Sequence, residues 1–359
     1  MHDVRPAPRD ASVPAPGVTY VMPVLNEVDY LARAVESVLE QEVDGPTELL
    51  LALAPSTDGT TELAERIAAA DQRVRVIHNP RADIPVGLNL AIAAAAYGTI
   101  VRVDAHSELE PGYTRQALAT LDRVKAANVG GVMRADGRTP FQRAVARAYN
   151  SRIGLGGGAY HGGAVEGPAE SAYLGVMRAD VLREVGMFDE TIRRGEDWEL
   201  NLRIRAAGYR VWFDPRLAVT YWPRERWGRL VRQFMATGTW RGELVRRFGR
   251  RNSLRFFAPP GLVVNTGLAA IVGVLQALGV LTGVAAVIAS VVYAPLAVYT
   301  ATVIVISAAV KAPLAERAWF AVVLPSMHLA WGLGFLGGIL RGARGTVDTS
   351  RLVRNTPLP

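Results

Sequence analysis

The stretch Val18-Thr19-Tyr20-Val21-Met22-Pro23-Val24-Leu25-Asn26-Glu27, followed at helical spacing by Leu31, Ala34, Val35, Val38 and Leu39, decides the fold class. An apolar run that ends in polar residues and passes into a 3.6-residue apolar repeat reads as a buried strand feeding a helix. The alternation recurs: Glu48–Ala54 extended and Thr61–Ala70 helical, Val74–His78 and Val86–Ala96, Thr99–Asp104 and Tyr113–Ala127. Four such units in about 110 residues predict an α/β fold built on a Rossmann-like, mainly parallel sheet covered on both faces. Such a sheet collects ligands at the carboxyl ends of its strands.

A second block begins near Val129. It holds seven glycines between positions 154 and 167, a strand over Ala172–Arg178, a Gly195-Glu196-Asp197 segment opening a helix over Asp197–Ala207, and a strand over Tyr209–Phe213. No P-loop Lys-Ser/Thr follows the glycines, so they read as a mobile loop over the site rather than a phosphate cradle. Before Val18, residues 1–16 are rich in Pro and Ala and lack a signal-peptide pattern, which leaves the N-terminal part in the cytoplasm.

Beyond the second block the composition changes. Phe256 to Val310 is a run of 55 residues without Asp, Glu, Lys or Arg, and Ala318 to Leu340 is a second uncharged run whose one titratable group is His328. A bilayer core takes about 20 apolar residues per helix, so the chain is an integral membrane protein with two to three spans. Arg224 to Arg255 carries ten Arg and two Glu, a net +8 that exceeds the +7 of the whole chain. Basic residues beside a span match the positive-inside rule and an attraction to anionic lipid. No nucleic-acid motif accompanies them, so nucleic acid is not the expected partner. Zero cysteines exclude a disulfide scaffold or thiolate metal site. One tension remains: three crossings put the tail outside, whereas Arg341, Arg344, Arg351 and Arg354 prefer the inside. Pro325 makes the third apolar segment the one suspected of not crossing.

Two polar groups fall just beyond strands, Asn26-Glu27 after the first and Asp104-Ala105-His106 after the fourth. Asp104 and His106, two apart in extended chain, project to one side and suit a divalent cation bridging two phosphates. A surface Asp beside a hydrogen-bonded His is the plainer alternative. Gly195-Glu196-Asp197 likewise reads either as a capped helix start, where acids are favoured, or as a general base.

Pro23 to Glu27, Ser56-Thr57-Asp58-Gly59-Thr60, Gly87-Leu88-Asn89, Asp104-Ala105-His106, Gly195-Glu196-Asp197 and Gln233 through Arg241 together resemble, in that order, the motifs of an inverting family 2 glycosyltransferase of GT-A fold. Within the family the chain is most similar to membrane enzymes of exopolysaccharide assembly of the succinoglycan glucosyltransferase ExoA type. The resemblance covers about residues 18–255. It implies a nucleotide-sugar-binding half over 17–128 and an acceptor half over 129–223, and composition adds a disordered tail over 1–16, a basic amphipathic juxtamembrane segment over 224–257, two to three transmembrane helices over 258–340 and a polar tail over 341–359. The resemblance places Pro23, Asn26, Glu27, Asp58 and Asn89 beside the nucleotide sugar, and Asp104 with His106 on Mn²⁺ or Mg²⁺. Asp197 becomes the general base, and Glu196, Gln233, Trp240 and Arg241 reach acceptor and diphosphate.

Three departures qualify the match. His106 replaces the second acid of the Asp-x-Asp motif, which shifts preference toward Mn²⁺. The donor implied first by the resemblance is a UDP-sugar, and Leu53 and Ala54, standing where acids that read the base are usual, weaken that implication. The Arg-Trp of a Gln-x-x-Arg-Trp motif is inverted as Trp240-Arg241, which favours single transfers over processive synthesis.

The implied activity is transfer of a hexose, glucose by resemblance, from a nucleotide diphosphate sugar to a lipid-linked saccharide at the cytoplasmic face of the cell membrane. Transfer onto polyprenyl phosphate is the nearer alternative, since a phosphate oxygen needs no base. A transporter component that only binds sugar nucleotide is the alternative from another class, against which the absence of acidic or basic residues within the apolar segments argues.

Overall fold

Strands β1 (Ala15–Val24), β2 (Thr47–Leu53), β3 (Val74–His78) and β4 (Tyr97–Arg102) run parallel in the order β3-β2-β1-β4. They alternate with α1 (Leu31–Leu39), α2 (Thr60–Ala70), α3 (Ile84–Ala94) and α4 (Tyr113–Arg123). The structure, a computed structural model, describes residues 15–155, 165–249, 254–343 and 345–346. Successive side chains of a strand point to opposite faces, so β1 and β2 feed two cores. Tyr20, Met22, Leu49 and Leu51 pack with Leu31, Val35 and Val38 on one side, and Val21 and Leu50 pack with Leu88, Ile92 and Ile100 on the other. Burial on both faces explains why these strands read as continuous apolar runs.

The sheet continues beyond β4 through β8 (Val176–Arg178), β6 (Asn128–Ala135), β9 (Val211–Tyr221) and β5 (Ser107–Leu109), with β7 (Gly167–Pro168) paired to β9. β8 is antiparallel to both neighbours and β6 is parallel to β9. The expected strand 172–178 shrinks to its last three residues. The expected strand 209–213 instead runs on to Tyr221 through Asp214-Pro215-Arg216, a sequence that reads as a turn. It is accommodated by a bulge: Gly130 pairs with Phe213 but Val132 pairs with Ala218. Gly131 sits opposite the bulge, where a Cβ would collide with the Leu217 carbonyl. Asp214, fully buried, accepts from Thr120 Oγ1 (2.7 Å) and Arg216 Nη2 (2.8 Å), so the apparent turn is an internal strut.

The remaining elements are α5 (Pro140–Tyr149), α6 (Arg152–Leu155), α7 (Ala179–Glu184), α8 (Glu196–Ala206) and α9 (Trp227–Phe248), then α10 (Ala258–Ala277), α11 (Gly283–Ala289), α12 (Tyr293–Ala309) and α13 (Leu314–Arg341). A short 3₁₀ turn joins α11 to α12. Three segments are long and apolar enough to cross a bilayer: 254–277, 283–309 and 314–341. Most of the glycine-rich stretch, residues 156–164, lies outside the described residues.

Candidate active site

β4 delivers Arg102 to its carboxyl end, and the chain then turns through Asp104 and His106. Facing it is the start of α8. Gly195 precedes that helix at φ +79°, a left-handed conformation costly for other residues, and a Cβ there would lie 2.7 Å from Leu244 of α9. Glu196, Asp197 and Glu199 occupy the first turn, where the helix dipole favours acids. The Asp197 carbonyl accepts from Asn201 Nδ2 (2.7 Å), and Asn201 Oδ1 accepts from Asn128 Nδ2 (2.7 Å), which ties this turn to β6.

Arg102, 4% exposed, joins the two halves. Its Nη1 donates to Glu196 Oε1 (3.0 Å) and to Asp197 Oδ1, and its Nη2 donates to Asp104 Oδ1 (3.2 Å). Burial alone would lower its pKa, but the three carboxylates hold it well above its ordinary value. One cation therefore stands among three acids, and the arrangement separates the acids' roles. Glu196 is turned inward, its side chain 8% exposed, whereas the side chain of Asp197 is 31% exposed and opens into the cavity. Burial in the crevice raises the Asp197 carboxyl to about 7; Arg102 opposes this, and the neighbouring Glu196 and Asp104 add to it.

A single cavity of about 1070 Å³ runs past these groups. One end is lined by Pro23, Leu25, Ala54 and Asp83, beyond β1 to β3. The middle holds Asp104, His106, Arg102, Glu196 and Asp197. The other end is lined by Phe256, Pro259 and Leu262 of the α10 region, Tyr299 of α12, and Met327 and Trp331 of α13. Arg194, Arg224, Arg241 and Arg255 line it as well. The guanidinium of Arg241 lies 4.2 Å from the Phe256 ring centroid and 5.1 Å from that of Trp198, held flat between two aromatics.

Of the sequence-predicted residues, Pro23, Asp104, His106, Glu196, Asp197, Gln233 and Arg241 come together on this cavity. The others lie off it. Asn26, at φ +53°, accepts from Thr57 N (2.9 Å) and locks the β1 loop to the β2 loop. Glu27 is 5% exposed and faces His106 Nδ1 at 3.4 Å, so it orients the imidazole from behind. Asp58 accepts from Thr60 N (3.0 Å) and Val28 N (3.3 Å), which shapes the loop. Asn89 clamps α3 to Phe188: it donates to the Phe188 carbonyl (2.9 Å) and accepts from the Phe188 amide (3.0 Å). Trp240 is 2% exposed and donates from Nε1 to the Thr346 carbonyl (3.2 Å).

Among the described residues no cluster of three or more His, Asp or Glu could hold a cation unaided. Asp104 and His106 both line the cavity and supply one carboxylate and one imidazole, which fits a divalent ion whose other ligands are diphosphate oxygens and water. Sequence reasoning missed Arg102, although a charged residue inside an otherwise apolar strand is itself a signal. It also missed Arg194, Tyr299 and His328, which tertiary packing alone brings to the cavity.

The chain is 31% identical over 317 residues to the succinoglycan biosynthesis protein ExoA of Rhizobium meliloti (strain 1021), covering 88% of this chain and 92% of that protein. Residues 19–186 match the family model described as Glycosyl transferase family 2. The chain belongs to glycosyltransferase family 2. A more distant relative of this transferase, 21% identical over 240 residues and covering 64% of this chain and 74% of its own, is the Methanococcus voltae dolichyl N-acetyl-alpha-D-glucosaminyl phosphate 3-beta-D-2,3-diacetamido-2,3-dideoxy-beta-D-glucuronosyltransferase. Among solved structures, the mannosyltransferase PcManGT from Pyrobaculum calidifontis in complex with GDP-Man and Mn²⁺ is similar in fold, with a TM-score of 0.57 at 17% identity over 90% of this chain and 87% of that one. The transferase thus has the GT-A architecture expected from its motifs.

Proposed function

We propose that this transferase moves a hexose, with inversion at the anomeric carbon, from a nucleotide diphosphate sugar to a hydroxyl of a lipid-linked saccharide in exopolysaccharide or envelope glycan synthesis, at the cytoplasmic face of the membrane. The observation that carries the reading is the single cavity joining the carboxyl ends of β1 to β4, the Asp104–Asp197 region, and apolar residues of α10, α12 and α13. A soluble acceptor has no use for an apolar end built from candidate membrane helices. The likeness to ExoA supports the pathway, and the neighbour crystallised with GDP-Man and Mn²⁺ supports the donor class.

In this reading Asp197 takes the proton of the acceptor hydroxyl as that oxygen bonds to the anomeric carbon. The bond from that carbon to the diphosphate oxygen breaks on the opposite side. Arg102 holds the Asp197 carboxylate in place and favours its ionised form. Asp104 with His106 would hold a divalent cation, which when bound neutralises charge on the leaving diphosphate. Arg194 and Arg241 lie beside the base on the membrane side and suit the acceptor's own phosphates.

The test is transfer of label from a panel of radiolabelled nucleotide sugars to a lipid extract by the purified enzyme in nanodiscs, comparing wild type with Asp197→Asn. One sugar transferred to a lipid-linked saccharide, lost in the variant, supports the reading. Full activity in Asp197→Asn points instead to an acceptor already ionised, such as polyprenyl phosphate.

A further inference from the structure

The three apolar helical segments are not equivalent. Of the most apolar stretch of each, 11% is buried in 254–277 and 6% in 283–309, but 44% in α13. α13 has 28 residues and is about 42 Å long at 1.5 Å per residue, more than the roughly 30 Å of a bilayer core. A helix of that length crossing the bilayer presents only one end to a domain on one side. Here both ends meet the soluble domain. At the start, Glu316, 3% exposed, is ion-paired to Arg143 and Arg147 of α5. After the last turn, Ala343 is fully buried with Ile192 and Trp198, and the Thr346 carbonyl accepts from Trp240. Between these points Val323, Leu324 and Met327 are fully buried against Phe141, Val145 and Ala148 of α5.

α9 lies beside α13 along this course. Trp227 Nε1 donates to Ser326 Oγ (2.9 Å), and a Cβ on Gly238 would strike the Trp331 carbonyl, on Gly242 that of Phe335, and on Gly338 that of Thr239. The succession 227–326, 238–331 and 242–335 shows two helices running parallel in close contact. Between its two ends α13 exposes Trp319, Val322, Leu333 and Leu340, which share one face with Ser326 between them, while Leu314, Ala315 and Ala318 are exposed at its start and Arg341 at its last residue. The two other apolar segments also pack on α13, α12 from its middle onward, where Tyr299 Oη lies 2.8 Å from His328 Nδ1 and Val303 is buried in one cluster with Phe320 and Val323. Pro259 at the start of α10 adjoins Gly332, and Arg317 caps the end of α12 by donating to the carbonyls of Ser307 (3.2 Å) and Ala308 (2.7 Å).

We infer that α13 does not cross the bilayer but lies along its surface beside α9, with the stripe Trp319–Val322–Leu333–Leu340 seated in the leaflet that faces the catalytic domain. The segments 254–277 and 283–309 form a crossing hairpin whose catalytic-side portions pack on α13, and the tail beyond Arg341 returns to the catalytic side. The occupant of the stripe is an anionic leaflet. Trp227, half-exposed, meets Ser326 on the face of the stripe, and the exposed Arg226 next to it and Arg341 at the end of α13 supply positive charge. This placement also puts Arg341 on the same side as Arg224, Arg226, Arg229 and Arg232, as the positive-inside rule requires.

The chain has no native cysteine, so single cysteines report unambiguously. Glu42→Cys marks the catalytic domain, Leu278→Cys the hairpin tip and Ser350→Cys the tail, each in the full-length protein in sealed right-side-out and inverted membrane vesicles. With a membrane-impermeant maleimide, Ser350→Cys is expected to label from the same side as Glu42→Cys, and Leu278→Cys from the other. A tail that labels from the side opposite Glu42→Cys overturns the inference, and so does a tip that labels from the catalytic side. A second measurement works even where labelling is slow: fluorophores on Val322→Cys and Leu340→Cys, about 27 Å apart along the helix, quenched by lipids carrying spin labels at graded depths. Equal, shallow depths are expected; depths on opposite halves of the bilayer overturn it.

Discussion

Arg102 is the residue through which the two halves of the site are coupled, because the same guanidinium reaches the carboxylate beyond β4 and the two acids opening α8. Removing a buried cation among three carboxylates strands those charges, at a cost of several kcal/mol, so an apolar replacement tests folding more than chemistry. Lysine keeps the charge but loses the fork that spans separate oxygens. We predict that Arg102→Lys folds, binds nucleotide within a few-fold of wild type, and loses on the order of 10²-fold in kcat. In an Asp197→Asn background the same substitution should cost little more, since a group acting through Asp197 has nothing left to position. Additive effects in that double-mutant cycle refute the coupling.

Asp197→Asn itself is expected to lower kcat by about 10²–10⁴-fold with donor affinity preserved, because an amide accepts no proton. Glu196→Gln should be milder, its carboxylate being buried against Arg102 and less exposed than that of Asp197. The pH sign follows from the raised pKa. A carboxyl titrating near 7 is protonated and useless as a base below that pH, so the rate should fall toward tenfold per unit on the acid side and level off above it. An acid limb that persists unchanged in the residual activity of Asp197→Asn assigns the titration to another group. For Asp104→Ala, calorimetry of a nucleoside diphosphate with and without Mn²⁺ should show the metal-dependent part of binding abolished; undiminished metal-dependent binding removes Asp104 from the site.

At the scale of elements, how far the sequence could be read depended on how local the cause was. The four strand–helix units were legible because each is held by its own apolar period. The extension of β9 through Asp214-Pro215-Arg216 was not, because the bulge that permits it depends on Gly131 in a strand about 85 residues earlier. The site divides the same way. Asp104, His106, Glu196 and Asp197 sit at strand and helix ends, where position alone marks them. Asn89 and Trp240 carry motif positions but spend their polar groups on Phe188 and Thr346, contacts that no local pattern announces. The α9–α13 pair depends on the glycines at its seam, which allow backbone to meet backbone. Gly238→Leu should therefore destabilise the protein by about 1–3 kcal/mol through overpacking. The measurement is thermal unfolding in detergent, and Gly228→Leu, at a glycine with open space around it, is the matched control expected to change little.

Across the whole molecule, the proposed function has donor chemistry and the candidate membrane helices share one cavity, so a change among those helices should alter acceptor use without touching the nucleotide. Leu262, on α10 at the apolar end, is the position that separates the two. Leu262→Trp adds bulk where an acyl or isoprenoid chain would lie, while Asp104, Asp197 and the loops beyond β1 to β3 stay as they are. Losing about 1.4 kcal/mol of contact is tenfold in affinity, so KM for a long-chain lipid-linked acceptor should rise on the order of tenfold. A short-chain or soluble analogue of the same saccharide never reaches the obstruction, and its KM should stay near the wild-type value. Nucleotide affinity should not move in either case. If the two acceptors suffer equally, the cavity does not carry the lipid and the chain must leave by another route. If neither suffers, α10 stands clear of the acceptor, and the joined cavity loses its functional meaning.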